Sequence, residues 1–291
     1  MSVSQKVLVL GLGASGRTAA RFYASRGFEV LAADTRPQPP RLDELQKEIP
    51  NLKFLGGAVS PVIVAEVSEV MISPGLSPEY SVFAPAVKEA KHRGIAVVGE
   101  IELFARELKK LKAETGYAPK IIGITGTNGK TTTTALCGEI MANYYRDVKV
   151  VGNIGIPYTS VAADTTEDTV TVAEISSFQL ETTHEFAPEV TAILNITPDH
   201  LNRHHTMECY IETKESITKN QTAGDTCVLN YEHEVLRRFG ETLQTKVVFF
   251  SSKRRLEKGL YLDGEDIFYA DGTTDTKVIN CLLYTSDAAD E

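Results

Sequence analysis

The 291-residue sequence predicts an α/β chain of two domains built on mostly parallel sheets. Three observations carry that expectation. Short apolar runs alternate with helix-like stretches along most of the chain. Two of those runs break directly into glycine-rich turns, Gly11–Gly16 and Gly123–Gly129, and each turn leads into a helix-like stretch. The polar stretch Lys109–Pro119, punctuated by Gly116 and Pro119, falls between two passages of the same grammar. It places a boundary between residues 1–110 and 111–280.

Lys6–Leu10 (KVLVL) reads as a buried parallel strand, because such strands are apolar on both faces. After the turn Gly11-Leu12-Gly13-Ala14-Ser15-Gly16, a helix from Arg17 to Ser25 ends at the C-cap candidate Gly27. A second strand, Phe28–Ala33, leads to Asp34-Thr35-Arg36, and Pro37, Pro39 and Pro40 close the unit. Val67–Ile72 reads as a strand ending at Ser73-Pro74-Gly75, Val82–His92 as a helix, Gly94–Val98 as a strand and Glu100–Leu111 as an amphipathic helix. Beyond the boundary come the strand Lys120–Ile124, the second glycine turn and a helix from Lys130. Further strands are expected at Thr169–Ala173, Val190–Asn195, Thr226–Asn230 and Lys246–Phe250. No fixed-period repeat is visible. The last twelve residues, Asn280–Glu291, resemble translated adapter read-through, so 281–291 are expected to be an artefactual tail of a longer natural chain.

A formal charge of −9 argues against general nucleic-acid binding, which favours a basic footprint. It leaves room for a phosphorylated small ligand held by backbone N–H groups and a few local cations. No apolar stretch approaches the roughly 18 residues of a membrane span. The first apolar run passes straight into a glycine turn, unlike a signal peptide. Cys137, Cys209, Cys227 and Cys281 are widely spaced without C-x-x-C, which suits a reducing cytosol.

The second glycine turn has the stronger chemistry. In Ile124-Thr125-Gly126-Thr127-Asn128-Gly129-Lys130-Thr131-Thr132-Thr133, glycines let backbone N–H groups turn inward around phosphate oxygens. Lys130 would reach the β- and γ-phosphates, and the Thr131 hydroxyl would meet Mg²⁺. The strict phosphate-loop pattern wants glycine where Ile124 stands, while the G-x-x-G-K-T core is intact. A bland strand–helix turn with a surface lysine is the alternative. The first turn, with Gly11, Gly13, Gly16 and Asp34 about 20 residues on, fits a dinucleotide fingerprint. NAD, another nucleotide and a purely structural turn all remain open on those residues.

Glu174 ends an apolar strand, where α/β ligands bind, and is a Mg²⁺ candidate. Its alternative is a helix N-terminal acid. His200, His204, His205 and Cys209 suggest zinc by composition only, and Asp199 could be a simple N-cap. Lys214, beside Glu212 and Glu215, reads in isolation as an exposed helix lysine.

Taken in order, Gly11–Gly16, Asp34-Thr35-Arg36, Ser73-Pro74-Gly75, Gly99–Phe104, Ile124–Thr131, Gly152-Asn153-Ile154-Gly155, Glu174–Glu181 and Asn195–His200 resemble the Mur ligases of peptidoglycan synthesis. The match runs from about residue 5 to about residue 280, and the Ser-Pro-Gly segment favours the D-glutamate-adding branch. The resemblance implies a Rossmann-like uridine-nucleotide domain, a phosphate-loop ATPase domain and a third, C-terminal domain that this chain does not reach. It implies an ATP-dependent ligase that joins D-glutamate to UDP-N-acetylmuramoyl-L-alanine through an acyl phosphate in the cytoplasm, serving cell-wall synthesis, cell shape and division. A monomer with no nucleic-acid or membrane partner is expected.

The resemblance also assigns roles. Ala14, Ser15, Asp34, Thr35, Arg36, Ser73, Gly75, Asn153, Ser176 and His200 would contact the UDP-sugar, and Gly126, Thr127, Asn128, Gly129, Lys130, Thr131, Thr132 and Thr133 the ATP. Thr131 and Glu174 would hold one Mg²⁺; His200 and a carbamylated Lys214 would serve a second. Lys130, Asn153, His200 and Lys214 form the catalytic set. Two rival readings stand beside it: another ligase of the Mur and folylpolyglutamate synthase superfamily, and a nucleotide-binding module without turnover. The 291 residues are expected to bind the nucleotide sugar yet turn over little.

Overall fold

The computed structural model describes residues 5–117, 119–153 and 156–281. Ile154 and Gly155 of the Gly152–Gly155 motif, and residues 282–291 of the expected tail, lie outside them. In chain order the elements are β1 (Lys6–Leu10), α1 (Ala14–Ser25), β2 (Glu29–Asp34), α2 (Leu42–Glu48), β3 (Lys53–Gly56), β4 (Glu69–Ile72), α3 (Ala84–His92), β5 (Ala96–Val98) and α4 (Glu100–Thr115). Then come β6 (Lys120–Thr125), α5 (Lys130–Ala142), β7 (Val148–Gly152), α6 (Tyr158–Val161), β8 (Val170–Glu174), α7 (Ser177–Leu180), β9 (Val190–Ile193), α8 (Leu201–His204) and α9 (Met207–Glu215). The last are β10 (Thr226–Asn230), α10 (Glu234–Thr242), β11 (Lys246–Ser251), β12 (Lys258–Asp263), β13 (Asp266–Asp271) and β14 (Asp275–Asn280).

Two compact units form. The first holds the described residues up to Lys120 together with Thr134–Phe186; the second holds Ile121–Thr133 and the described residues from Ala187 onward. In the first unit, five parallel strands lie in the order β3-β2-β1-β4-β5. Leu8 stands opposite both Leu31 and Val70, which fixes β1 at the centre. Its side chains alternate between two apolar layers, as a doubly covered strand requires. Val7 and Val9 join Ala19, Ala20 and Tyr23 of α1, and Leu8 and Leu10 join Ala86, Val87 and Ala90 of α3. The chain moves outward from β1 to β3 and then returns to the other side of β1. That reversal opens a crevice at the C-terminal ends of β1 and β4. The same unit contains the parallel pair β7–β8, with Val150 opposite Val172.

In the second unit, β6, β9, β10, β11 and β12 pair in parallel, and β12-β13-β14 continue as an antiparallel meander. Tyr261 and Phe268 stack across the meander at 5.5 Å, against a small core of Leu256, Tyr261 and Ala270.

The expected α/β class is the observed one, with several local differences. Helix α1 starts at Ala14, before the expected Arg17, so Ala14 and Ser15 belong to its first turn. Helix α4 runs past the expected Leu111 to Thr115 and ends at Gly116, whose φ of 81° lies in the left-handed region. Strand β9 stops at Ile193, which leaves Asn195 in the loop beyond it. Among the described residues, no helix is long and apolar enough to cross a membrane.

Candidate functional site

The crevice of the first unit holds a cavity of about 330 Å³ lined by Gly11, Gly13, Ala14, Ser15, Asp34, Thr35, Arg36 and the segment Ser73–Leu76. Seven of the expected nucleotide-sugar residues therefore converge. Gly11 has φ 86°, donates its N–H to the Ala33 carbonyl at 2.7 Å and accepts the Ser73 hydroxyl at 2.7 Å. A Cβ at Gly16 would lie 1.7 Å from the Gly11 carbonyl oxygen, so only glycine lets α1 start this close to the turn. Helix α1 has no side-chain cap. An uncapped helix start of this kind favours an anion.

Asp34 organises the turn. Its buried carboxylate accepts the Leu12 N–H at 2.8 Å, the Arg36 N–H at 3.0 Å, and the Arg36 Nε and Nη2 at 2.8 and 2.9 Å. Burial pushes the Asp34 carboxyl up. The Arg36 guanidinium and the two backbone donors outweigh that and hold it at about 2. Asn153 and Ser176 do not line this cavity. Asn153 donates its side-chain N–H to Glu174 Oε1 at 2.9 Å, and Ser176 caps α7 in a capping box with Gln179.

Glu174 ends β8 and is 1% exposed. It precedes the Ser176 cap and is not a first-turn acid of α7, so the helix-dipole reading is corrected. Its backbone carbonyl accepts the Asn153 N–H at 3.0 Å and the Tyr158 hydroxyl at 3.2 Å.

In the second unit, β6 carries Ile124 into the core and ends at Thr125. The position where a longer phosphate loop has glycine is thus part of the strand, and the turn is the tighter Gly126-Thr127-Asn128-Gly129. Gly126 and Gly129 have φ 152° and 84°. Lys130, the first residue of α5, folds back and donates Nζ to the carbonyls of Gly126 at 2.9 Å and Thr127 at 2.8 Å. The loop is clamped from β9's end. Asn195 accepts the Asn128 N–H at 2.8 Å and donates to its carbonyl at 2.9 Å, while the Asn195 carbonyl accepts the Thr127 N–H at 2.9 Å. Thr127 Oγ1 also meets the Thr197 carbonyl and N–H and the Tyr210 hydroxyl.

Lys214 departs most from its reading in isolation. It is not exposed: it is 1% accessible, and its Nζ lies 2.9 Å from the Gly126 carbonyl and 4.8 Å from the centre of the Tyr210 ring. Burial and the charge of Lys130 push its pKa down to about 7, against a smaller opposing pull from Asp199. Two lysines thus converge on one carbonyl oxygen, an arrangement that an entering anion would relieve. His200 has φ 52° and opens α8, with Nε2 3.5 Å from Asp199 Oδ2. Asp199 accepts the His200 N–H and is not itself the helix cap.

Among the described residues, no three His, Cys, Asp or Glu side chains gather into a metal cage. Magnesium does not need one, since it keeps waters and shares phosphate oxygens. Lys214, as an ammonium, is no ligand. The sequence reading gave no role to Asn195, Thr197 or Tyr158; an amide just past a strand beside a glycine loop is the one available signal, and it is a weak one.

Fold and site together define an α/β protein with a phosphate-loop-type turn between strand and helix. Residues 124–280 match the Mur ligase middle domain and residues 5–99 the MurD-like N-terminal domain of Mur ligases, and the chain belongs to the Mur ligase family. It is 46% identical over 273 residues to UDP-N-acetylmuramoylalanine–D-glutamate ligase of Lachnoclostridium phytofermentans, covering 92% of this chain and 57% of that protein. It is 47% identical over 279 residues to the same-named ligase of Lachnospira eligens, covering 95% and 59%. The chain thus spans somewhat more than half the length of these curated relatives. Among solved structures, the UDP-N-acetylmuramate:L-alanyl-γ-D-glutamyl-meso-diaminopimelate ligase of Neisseria meningitides shares the fold, with a TM-score of 0.59 at 14% identity over 94% of this chain and 86% of that one.

Proposed function

We propose that this chain carries the nucleotide-sugar and ATP sites of a ligase that joins D-glutamate to UDP-N-acetylmuramoyl-L-alanine. One observation carries the reading: a single Mur ligase chain holds two glycine-bounded anion turns, one beside the 330 Å³ cavity and one beneath two converging lysines. The names of the relatives support the particular acid and amine. Residues 1–110 form the UDP-sugar domain in this reading and 111–280 the ATP domain.

A carboxylate resists amines because its charge repels them and its oxygen leaves poorly. ATP's terminal phosphoryl passes to the L-alanyl carboxylate, breaking the bond to ADP and forming an acyl phosphate. The amine of D-glutamate attacks the acyl carbon, and the tetrahedral adduct expels phosphate as the amine loses its proton. Catalysis here is positioning and charge neutralisation. Lys130 exchanges its bonds to Gly126 and Thr127 for phosphate oxygens, and the N–H groups of the Gly126–Thr133 segment cradle the rest. Asn153, Ser176 and His200 orient the nucleotide sugar beyond the uridine pocket.

Thr131 and Glu174 would hold one magnesium, and His200 with a carbamylated Lys214 would serve a second. Magnesium, when bound, offsets phosphate charge. A pKa of about 7 supports the modification, because much of the Lys214 amine is neutral near pH 7 and can add CO₂ with loss of a proton. In this reading the reaction belongs to the cytoplasm, in precursor synthesis for the wall that sets cell shape and division, and the ligase acts as a monomer.

Calorimetry tests the reading. The chain is expected to bind UDP-N-acetylmuramoyl-L-alanine and ADP, and not NAD. NAD binding without nucleotide-sugar binding would overturn it.

A further inference from the structure

Glu100 opens α4 and is 3% exposed, and its known partners are neutral donors. Its Oε1 accepts the Thr159 N–H at 3.1 Å, the Thr159 hydroxyl at 3.0 Å and the Thr18 hydroxyl at 3.3 Å. The same Thr18 hydroxyl lies 3.0 Å from the Ser15 carbonyl, in the first turn of α1. Ser15 lines the nucleotide-sugar cavity. Thr159 follows Tyr158, which is fully buried, stands 5.7 Å from the Phe104 ring and donates its hydroxyl to the Glu174 carbonyl. One path of contacts therefore runs from Ser15 through Thr18, Glu100, Thr159 and the adjoining Tyr158 to the end of β8, inside the first unit.

A buried carboxylate is costly, and an apolar side chain would fill the space more cheaply. Its neighbour Glu102 shows what a purely architectural acid does here: it accepts the N–H groups of His184 and Glu185, lies near Arg106 and reaches no cavity residue. Glu100 instead holds the Thr18 hydroxyl, which also rests on the carbonyl of Ser15 in the cavity wall.

We propose that Glu100 is a positioning residue: through Thr18 it fixes Ser15 in the nucleotide-sugar turn and, through Thr159 and Tyr158, ties that turn to the strand end bearing Glu174. The proposal rests on the nucleotide-sugar reading of the cavity. Thr159→Val tests it, because the change removes a hydroxyl remote from the cavity and keeps side-chain volume and backbone N–H. UDP is the probe, ADP the control, and amide hydrogen exchange in the unliganded chain the independent readout.

The expected result is UDP binding weakened about five- to tenfold, ADP binding within about twofold of the parent, and faster exchange at residues 12–18 and 174–176. Unchanged UDP binding together with unchanged exchange at 12–18 would overturn the proposal. Glu100→Gln keeps one acceptor oxygen and is expected to fall between the parent and Glu100→Ala; equal losses for the two would also overturn it. Should Glu100→Ala fail to fold, Thr159→Val decides alone. If the parent binds ADP but not UDP, the ligand reading of the cavity falls, and exchange at 12–18 still decides whether Glu100 holds the turn.

Discussion

Lys130 and Lys214 set the chemistry of the second glycine turn, because both ammonium groups reach the Gly126 carbonyl. A lysine normally titrates near 10.5, and Lys214 is pushed down to about 7. Between those values the unfolded chain holds a proton that the folded chain has released. This group therefore makes stability rise with pH from about 7 to about 10.5, and it opposes folding below 7. Lys214→Met removes the titration and keeps the length. The variant should be more stable than the parent at pH 6, with the gap closing as pH approaches 10; a gap of constant size in denaturant titrations would refute the buried ammonium. Asp34 has the opposite sign. Its contribution is present above the ordinary carboxylate pKa of 3.8 and is lost as pH falls through about 2. Asp34→Asn should cost about 2 kcal/mol at pH 7, since charge-assisted bonds from Leu12 and Arg36 weaken, and it should lower UDP affinity. Equal stability of parent and variant at pH 7 would show that the Asp34 carboxylate does not organise the turn.

At the scale of elements, what was legible was local. Strands β1 and β10 fall on their expected residues because an apolar run between polar or glycine residues identifies a buried strand without reference to the rest of the chain. The two glycine turns were equally plain, since their chemistry is written in consecutive residues. Three things were not. The α2–β3 pair hid behind Pro37, Pro39 and Pro40, whose turn signal masks the short helix after them. The β12–β14 meander has strands that are half exposed, so apolar patterning is diluted. The burial of Lys214 and the Asn195 clamp arise only when α9 and the end of β9 meet the loop, so no local pattern records them. Gly16 joins both kinds of information, because its motif position was visible and its reason is a contact. Gly16→Ala puts a Cβ 1.7 Å from the Gly11 oxygen, and α1 must move off the turn. The variant should lose UDP binding at least tenfold while ADP binding persists; retained UDP binding would mean that α1's close approach is not what forms the pocket.

Across the whole molecule, a chain of net charge −9 carries the two proposed anion sites. Long-range charge cannot attract anions, so the attraction has to be local. In the first unit it comes from the uncapped start of α1 beside Arg36, and in the second from Lys130, Lys214 and the Gly126–Gly129 backbone. Each unit has its own core and its own turn, so each ligand should stabilise the chain through its own equilibrium. At 100 times its dissociation constant, a ligand that binds only the folded state adds about 2.7 kcal/mol. UDP and ADP should each raise Tm in thermal unfolding. Lys130→Ala should abolish the ADP-induced rise and leave the UDP-induced rise intact, whereas Gly16→Ala should do the reverse. That crossed pattern is the signature of two separate phosphate turns. If Lys130→Ala removed both rises, or neither, the two turns would not be independent anion sites, and the assignment of uridine nucleotide to one and adenine nucleotide to the other would fail with them.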